Sequence, residues 1–343
     1  MFEQLTSFQN LHLAFKKAAA GKRGKFYAAT FEHRLEDNLI ELQQELRAQS
    51  YHPGTYTSFF VHEPKRRLIS AAPFRDRVVH HALCNVIGPV FEKSFVEDTY
   101  ANRVGKGTHR ALNRCQQFSR QYRYVLQCDL KQFFPSLDHE VLTGLIKNKI
   151  EDAKIMWLIQ RIVSSGKDLL KDIYHTVYFP GDDLFAVARP RGLPIGNLTS
   201  QFWANVYLNP FDHFVKRELQ CKAYLRYVDD FLLFANDKMT LWKWKRGIEH
   251  RLMRYRLVIH DPAHPRPVTE GIPFLGFIVF PEKRRLKRRK AVHFQRRLKR
   301  LKVQREAGTI PLAKFKASLL GWINHVRYGN TVGLRKKILA NSL

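Results

Sequence analysis

The sequence predicts an α+β fold with an antiparallel sheet and amphipathic helices. Two apolar, β-prone runs within 223–235 flank Asp229-Asp230 and predict a β-hairpin with both carboxylates at its tip. A third apolar run ends at Asp129 and predicts a buried strand beside that hairpin. Apolar residues at helical spacing, as in 31–49, predict the helices.

Composition restricts the class of protein. The 343 residues can bury a large core, and a hydrophobic content of 45% is typical of a folded chain. The net charge of +29 predicts a polyanionic partner, and RNA or DNA is favoured over a membrane because no stretch approaches the length of a transmembrane helix. The four cysteines lack CxxC spacing and are predicted to be reduced core thiols.

The first half of the chain predicts helices around one β-hairpin. Helix 31–49 ends before Pro53-Gly54, and 55–69 alternates like a hairpin with its turn near 63–66. The remaining predicted elements are a helix over 76–90, a loop over 101–109, a helix over 110–122, the Asp129 strand and a helix from Asp138.

The second half adds a polar segment and a basic C-terminal part. Asp182 and Asp183 lack apolar flanks and are interpreted as a solvated loop. Helices are predicted over 199–218 and 240–255, and a strand over 272–280. From 282 to 305, 13 of 24 residues are Lys or Arg, yet an apolar helical stripe persists there and again in 315–326. No repeat or low-complexity linker interrupts the chain, which indicates one continuous module.

The carboxylates are the candidate reactive groups. Adjacent carboxylates repel each other unless a cation lies between them, and a divalent metal there can serve phosphoryl transfer. An isolated Asp-Asp pair is more often an ordinary surface turn. Here Asp129 follows a matching strand about a hundred residues upstream, which favours a site with three carboxylates and two metals.

This order, one aspartate on a strand and then a Tyr-Val-Asp-Asp hairpin, resembles the palm of template-dependent polymerases and in particular the reverse transcriptase family. The resemblance covers about residues 55–335. It implies a right-hand polymerase with fingers, an antiparallel palm sheet carrying the catalytic aspartates, and a helical thumb. The implied domains are an N-terminal helical segment with fingers (1–122), a palm (123–282, with part of the fingers near 140–195) and a basic helical thumb (283–343).

The resemblance assigns the catalytic and metal-binding residues. Asp129, Asp229 and Asp230 would be catalytic and, together with Leu130, would hold two Mg²⁺ ions, with Mn²⁺ as an alternative. In the family a Lys and an Arg of the fingers hairpin grip the incoming triphosphate, and they correspond to Lys65 and Arg67. Fixed cations suit that role because charge builds on the phosphate oxygens. The alternative for the last two residues is a solvated turn.

Phe134, five residues after Asp129, corresponds to the family's aromatic residue that packs against the incoming sugar and excludes a 2′-hydroxyl. That position implies selection of deoxynucleotides, and Phe133 lies beside it. The alternative for either side chain is a core phenylalanine, which Phe133 is expected to be.

The stretch 191–201 is the most discriminating. Most reverse transcriptases carry Gln where this chain has Ile195, and Pro where it has Gln201; Ile-Gly-x-x-x-Ser-Gln instead resembles the reverse transcriptases of diversity-generating retroelements. Ile195 and Gly196 would line the pocket of the nascent base pair. Because Ile195 cannot hydrogen-bond, the pocket would depend on shape, which discriminates poorly. The resemblance implies error-prone, adenine-mutagenised cDNA copied from a template-repeat RNA.

Residues near the C-terminus would contact the template and primer. Phe274, Leu275 and Gly276 resemble the family's primer grip, and the basic stretch after them would follow the phosphates as part of the thumb. Its proposed contacts are Arg284, Arg285, Arg288 and Arg289. A solvated helix or a targeting signal is the alternative. Many polymerases have a Lys before the primer grip as general acid; here 260–265 has none, so a histidine or water would substitute.

The implied partners are template RNA, cDNA or primer, deoxynucleotides and a basic oligomeric accessory variability protein, without a membrane. Because the N-terminus shows no secretory pattern, a cytoplasmic protein of a bacterium or phage is expected. Two alternatives stay open: a retron- or defence-type reverse transcriptase, and a nucleic-acid-binding protein with an inactive polymerase fold. The intact set of three carboxylates favours an enzyme over the latter.

Overall fold

The computed structural model describes residues 1–62 and 66–340 as helices packed around antiparallel sheets. The N-terminal helices pack on the long fifth helix, and leucines such as Leu39, Leu42 and Leu46 are completely buried between them. These helices are α1 (Phe2–Leu5), α2 (Phe8–Ala19), α3 (Phe26–His33), α4 (Leu35–Arg47) and α5 (Phe74–Glu92).

The helix predicted over 31–49 is in fact two. Arg34 has φ −119° and ψ 49°, which is outside the helical region, and the chain changes direction there. The Asn38 side-chain amide donates to the Phe31 carbonyl at 2.9 Å and closes the break. Phe31 still reaches the core, where its ring lies 5.4 Å from that of Phe74. The apolar spacing therefore predicted burial correctly but not the continuity of the helix.

A four-stranded antiparallel sheet forms the centre of the molecule, in the order β4–β5–β3–β6. Its strands are β3 (Tyr124–Asp129), β4 (Tyr224–Tyr227), β5 (Asp230–Ala235) and β6 (Arg266–Pro267). Asp129 lies directly opposite Asp230 in the register of β3 and β5, as the predicted hairpin and strand require. Side chains alternate between the faces of a strand, so Val125, Gln127 and Asp129 share one face of β3.

Further helices cover the sheet and fill the connections between strands. They are α6 (Thr108–Gln121), α7 (Phe133–Ser136), α8 (His139–Lys147), α9 (Ala153–Ser165), α10 (Leu198–His213, continued by a π-helical turn over Phe214–Glu218) and α11 (Lys238–Met253). The Asp138 carboxylate begins α8 by accepting from the Glu140 and Val141 amides, at 2.9 and 3.1 Å, which is the usual role of an N-cap aspartate.

The interpretation of Asp182 and Asp183 as a solvated loop is only half right. Asp183 is exposed and caps a short 3₁₀ helix, Leu184–Ala188, by accepting from the Ala186 amide. Asp182 instead pairs with Arg189 and accepts from the Phe179 amide at 3.0 Å. The pairing of Asp182 with Arg189 involves two polar residues, so no apolar pattern in the sequence predicts it.

An exposed hairpin, β1 (Thr57–Val61) with β2 (Arg67–Ala71), projects from the helical layer. Its connecting turn includes Glu63, Pro64 and Lys65, which lie outside the described residues. The base of the hairpin is held by the segment that precedes α10. The Asn197 side chain accepts from the Ala72 amide at 3.0 Å and donates to the Ser70 carbonyl at 2.8 Å, and the Ser70 amide donates to the Ile195 carbonyl at 2.9 Å.

The strand predicted over 272–280 is a hairpin. Strands β7 (Ile272–Phe274) and β8 (Phe277–Val279) pair with each other, and β9 (Arg284–Leu286) pairs with β8. The chain reverses at Leu275 and Gly276, whose φ angles are 45° and 90°. Consecutive positive φ angles are typical of tight hairpin turns, and glycine adopts one without strain.

The C-terminal helices form a small separate core. They are α12 (Arg288–Glu306), α13 (Leu312–Val326) and α14 (Val332–Ala340). Phe294 and Leu298 of α12 pack with Phe315 of α13, and the rings of Phe294 and Trp322 stack with centroids 4.3 Å apart. The apolar stripe predicted within the basic segment is thus present. None of the helices in the described part of the chain is long and apolar enough to cross a membrane.

Candidate active site

A cleft of about 590 Å³ lies between the central sheet, the β1–β2 hairpin and the turn before β8. The side chains of Asp129, Asp229 and Asp230 line one side of it. Asp129 ends β3 and Asp230 begins β5 directly opposite, while Asp229 occupies the turn between β4 and β5. The structure therefore brings together the three carboxylates that the sequence identified as a group.

A buried ion pair holds the turn that presents Asp229. Arg226 on β4 is 1% exposed and forms a two-pronged pair with Asp212 of α10, at 2.7 and 2.8 Å. Its guanidinium also donates to the Val228 carbonyl at 2.8 Å, inside the turn. Val228 has φ 59°, a conformation disfavoured for a β-branched residue. The guanidinium stabilises this turn geometry because a buried arginine left without these acceptors would cost several kcal/mol.

Burial is the main cause of a raised pKa at two of the three carboxylates, Asp229 and Asp230. Burial raises the pKa of Asp229 to about 6, with repulsion from Asp129 as the next cause, while the charge of Arg67 opposes the shift. Burial likewise raises the pKa of Asp230 to about 7, although a hydrogen bond from Gln127 lowers it. Buried carboxylates that also repel one another in a cleft are typical of a site that binds a cation.

The donor set suits a hard divalent cation. Carboxylate oxygens are the ligands that Mg²⁺ prefers, and proteins commonly hold it by one or two carboxylates while substrate phosphates and water complete its shell. Over residues 1–62 and 66–340, no three His, Cys, Asp or Glu side chains are close enough to enclose a metal alone. Leu130, the fourth predicted ligand, lines the same cleft.

Two further side chains, Gln127 of β3 and Arg266 of β6, form a chain of hydrogen bonds that ends at Asp230. The side-chain amide of Gln127 donates to both carboxylate oxygens of Asp230, at 3.1 and 3.2 Å, and accepts from Arg266 at 2.9 Å. Sequence reasoning missed both residues. Gln127 precedes Asp129 by two positions and so shares its face of the strand, a signal that could have found it. Arg266 lies 139 residues away and carries no such signal.

The residues predicted to bind the nucleotide line the same cleft. They are Arg67, Phe133, Phe134, Ile195 and Gly196. Phe133 is buried, whereas Phe134 is half-buried. Lys65, the other predicted triphosphate contact, lies outside the described residues. Asn102, Tyr227 and Gln201 also line the cleft. Asn102 was missed because it follows no motif, and Tyr227, the first residue of the Tyr-Val-Asp-Asp hairpin, was not assigned a role at the site.

The predicted primer and template contacts lie on the β7–β8 hairpin, on β9 and at the start of α12. Phe274 is completely buried, Leu275 lines the cleft, and Gly276 completes the turn. Arg284 is partly buried and donates to Asn113 at 2.8 Å, so it ties β9 to α6. Arg285 is exposed with its guanidinium 5.5 Å from the centre of the Phe280 ring, and Arg288 and Arg289 are exposed where α12 begins.

His260 is the only histidine among the residues that line the described part of the cleft. Its backbone amide donates to the Asp129 carbonyl at 2.8 Å, which fixes the segment beside the carboxylates. Of the two histidines in 260–265, the other, His264, is occupied by a hydrogen bond with the Pro262 carbonyl.

Comparisons with known proteins agree with this geometry. The family model described as reverse transcriptase (RNA-dependent DNA polymerase) matches residues 62–279, which include β2, the central sheet and all three carboxylates. The group II intron-encoded protein LtrA of Lactococcus lactis subsp. cremoris is 26% identical over 183 residues, 52% of this chain and 28% of LtrA. Protein YkfC of Escherichia coli K12 is 25% identical over 287 residues, 71% of each chain.

The alignment with LtrA therefore spans less than a third of that protein's length. Among solved structures, apo telomerase from Candida tropicalis has a TM-score of 0.47 at 13% identity, covering 67% of this chain and 48% of the telomerase chain.

Proposed function

This chain belongs to the reverse transcriptase family, and we propose that it synthesises DNA on an RNA template. The observation that carries the proposal is the meeting of Asp129, Asp229 and Asp230 in one cleft, together with residues suited to a nucleotide. The net charge of +29 supports binding to a nucleic acid, since the carboxylates themselves would repel one.

The proposed reaction is attack of a primer 3′-hydroxyl on the α-phosphate of a deoxynucleotide, with pyrophosphate leaving. Two Mg²⁺ ions, or Mn²⁺ as an alternative, would supply the charge that activates the attacking oxygen and stabilises the leaving one. Asp129, Asp229 and Asp230, with the backbone of Leu130, would hold them. Arg67 and Lys65 would hold the triphosphate, and Phe134 would lie against the sugar.

We assign the parts of the chain accordingly. Residues 1–122 would form the N-terminal helical segment and fingers, 123–282 the palm with part of the fingers near 140–195, and 283–343 the thumb. The separate core of α12–α14 supports a C-terminal unit, which by packing begins after β9, since β9 still pairs with β8. In this assignment the turn at 274–276 would contact the primer, and Arg284, Arg285, Arg288 and Arg289 would face the template–primer duplex.

We further propose a reverse transcriptase of the diversity-generating type, which makes adenine-mutagenised cDNA from a template-repeat RNA. Support comes from Ile195 and Gln201, which stand where most of the family carries Gln and Pro, and which both line the cleft. Its partner would be a basic oligomeric accessory protein joined to it through RNA. A retron- or defence-type enzyme is the alternative, and sequencing cDNA made on the native RNA would separate the two.

RNA-templated primer extension with Mg²⁺ tests the polymerase proposal. Asp229→Ala is expected to abolish extension, by at least about a thousandfold, because it removes a carboxylate from the site where charge develops. RNA affinity should change less than about threefold, since dispersed Lys and Arg supply it. Extension retained by Asp229→Ala would contradict the assignment of the carboxylates.

A further inference from the structure

We infer that Gln127 is a positioning residue that couples the Asp230 carboxylate to the turn at 274–276. The inference rests on the proposed polymerase function, in which Asp230 serves the reaction and that turn contacts the primer. Gln127 would act through these two neighbours without touching substrate itself.

The orientation of the Gln127 amide is fixed by its surroundings. Arg266 donates from Nη2 to Gln127 Oε1 at 2.9 Å. A guanidinium has donors only, so the amide oxygen must face Arg266 and the amide NH₂ must face the other way. Burial lowers the pKa of Arg266, but an arginine stays charged in proteins, so this restraint persists across the working pH range.

The NH₂ group then serves two elements at once. Gln127 Nε2 lies 3.1 and 3.2 Å from the two oxygens of Asp230, and 3.3 Å from the Pro273 carbonyl. The two amide hydrogens can therefore go to two acceptors, one to the Asp230 carboxylate and one to the Pro273 carbonyl. Pro273 directly precedes Phe274, so a single side chain links the first residue of β5 to the strand that leads into the turn.

This link joins two different sheets. Asp230 belongs to the central sheet and Pro273 to the β7–β8–β9 sheet, and the strand register gives neither a partner in the other. Each carboxylate oxygen has about two lone pairs, so hydrogen bonds from Gln127 still leave Asp230 able to meet a cation. Groups that orient a ligating carboxylate commonly change metal affinity or activity 10- to 100-fold when removed.

Three variants test the inference. Gln127→Met keeps the length of the side chain but removes both donors. Arg266→Met leaves the amide in place but frees its orientation. Gln116→Met is the matched control, because the Gln116 amide also joins a neighbouring element to the second sheet. It donates to the Phe280 and Pro281 carbonyls between β8 and β9, at 3.1 and 3.2 Å, and Gln116 does not line the cleft.

In primer extension, Gln127→Met is expected to lower kcat about 10- to 100-fold and to raise the Mg²⁺ concentration needed for half-maximal rate. The KM for deoxynucleotide and the Kd for primer–template should each change by less than about threefold. Gln116→Met should match wild type in all four quantities. Arg266→Met should show a smaller loss and add almost nothing in the Gln127→Met background, because it acts through the amide. Equal losses in the Gln127 and Gln116 variants would overturn the inference.

Mn²⁺ binding to the protein without nucleic acid, followed by electron paramagnetic resonance, gives a readout that does not need activity. Gln127→Met should raise the Mn²⁺ Kd about tenfold relative to wild type and Gln116→Met. An unchanged Kd would overturn the inference. Failure of wild-type protein to extend any primer would instead reject the proposed function, and the Mn²⁺ comparison would still decide the role of Gln127.

Discussion

Phe134 allows a direct test of how the proposed site selects deoxynucleotides over ribonucleotides. Its ring is half-buried against the core and borders the cleft, beside fully buried Phe133 at a centroid distance of 5.4 Å. Phe134→Ala is expected to raise ribonucleotide relative to deoxynucleotide incorporation roughly 10- to 100-fold, because the space for a 2′-hydroxyl opens. Single-nucleotide extension with each substrate measures the ratio.

Phe133→Leu serves as the control for that experiment. It removes buried ring atoms next to the same site, so it should lower the free energy of unfolding by about 1–3 kcal/mol without altering the sugar ratio. A ratio unchanged in Phe134→Ala would mean that this ring is simply a core residue.

Ile195 is expected to influence accuracy. Its backbone carbonyl is held by the Ser70 amide, so its half-buried side chain has a fixed origin at the edge of the cleft. Ile195→Gln should reduce errors opposite template adenine roughly fivefold or more, because an amide can hydrogen-bond near the nascent pair. Sequenced cDNA from both proteins, compared at matched extension, measures this. Ile195→Met, similar in length but unable to hydrogen-bond, should keep the wild-type errors; a uniform loss of activity with an unchanged error spectrum would contradict the prediction.

Among single residues, the sequence identified those that adjacent residues in the chain mark, such as an aspartate that ends or interrupts a β-prone run. Asp229 and Asp230 stand between two β-prone runs, and Asp129 ends a third, so their strands are recognisable. Gln127 carries no such mark, since its partners Asp230 and Arg266 lie 103 and 139 residues away. Tertiary packing decides which distant group a polar strand residue hydrogen-bonds to. A single sequence does not contain a local pattern that predicts this partner.

Among the elements, the β1–β2 hairpin is expected to depend on Gly196. This residue has φ +116°, and a Cβ added there would lie 2.8 Å from Ile69 Cγ2 on β2. Gly196→Ala should therefore cost about 1–3 kcal/mol in backbone strain and also displace the hairpin that carries Arg67. We expect KM for deoxynucleotide to rise roughly tenfold, as measured by steady-state extension.

Gly181→Ala is the control that separates the effect of backbone strain from that of displacing the β1–β2 hairpin. Gly181 has φ +87°, but a Cβ there would meet nothing within 4 Å. It should lose similar stability in chemical denaturation and keep the wild-type KM. Equal KM values for the two variants would show that the hairpin does not need the close approach at Gly196.

Element boundaries were harder to predict than element types. The apolar spacing of 31–49 does not reveal the break at Arg34, and the apolar run 272–280 hides the reversal at Leu275 and Gly276. Both failures have one cause. Burial patterns persist across a sharp turn when the segments on each side enter the same core, so periodicity reports which residues are inside more reliably than where the chain bends.

Across the described part of the molecule, acidic and basic side chains are distributed unevenly. The cleft concentrates carboxylates, whereas α12 presents cations beside a small apolar core. A net charge of +29 makes the compact state repel itself, so a polyanion that neutralises it should stabilise the fold as well as bind to it. The position of the cations, and not only their number, would then decide where the nucleic acid lies.

Replacing four exposed cations of α12 with Gln tests this point. The residues are Arg296, Arg297, Lys299 and Arg300. The matched control replaces four exposed cations that do not line the cleft, on α8, before β4 and on α11, namely Lys147, Lys222, Lys243 and Arg246. Both variants carry the same net charge, so a purely global field would weaken binding equally.

We expect the α12 variant to reduce the slope of log K against log salt for a primer–template duplex by about 2–3, because each lost phosphate contact removes about 0.7–0.9. The control should change the slope by less than 1. Fluorescence anisotropy between about 50 and 200 mM salt measures both slopes, a range over which phosphate contacts alter affinity strongly. Equal slopes in the two variants would show that the duplex does not follow α12, since cations act on counterions only where phosphates pass close to them.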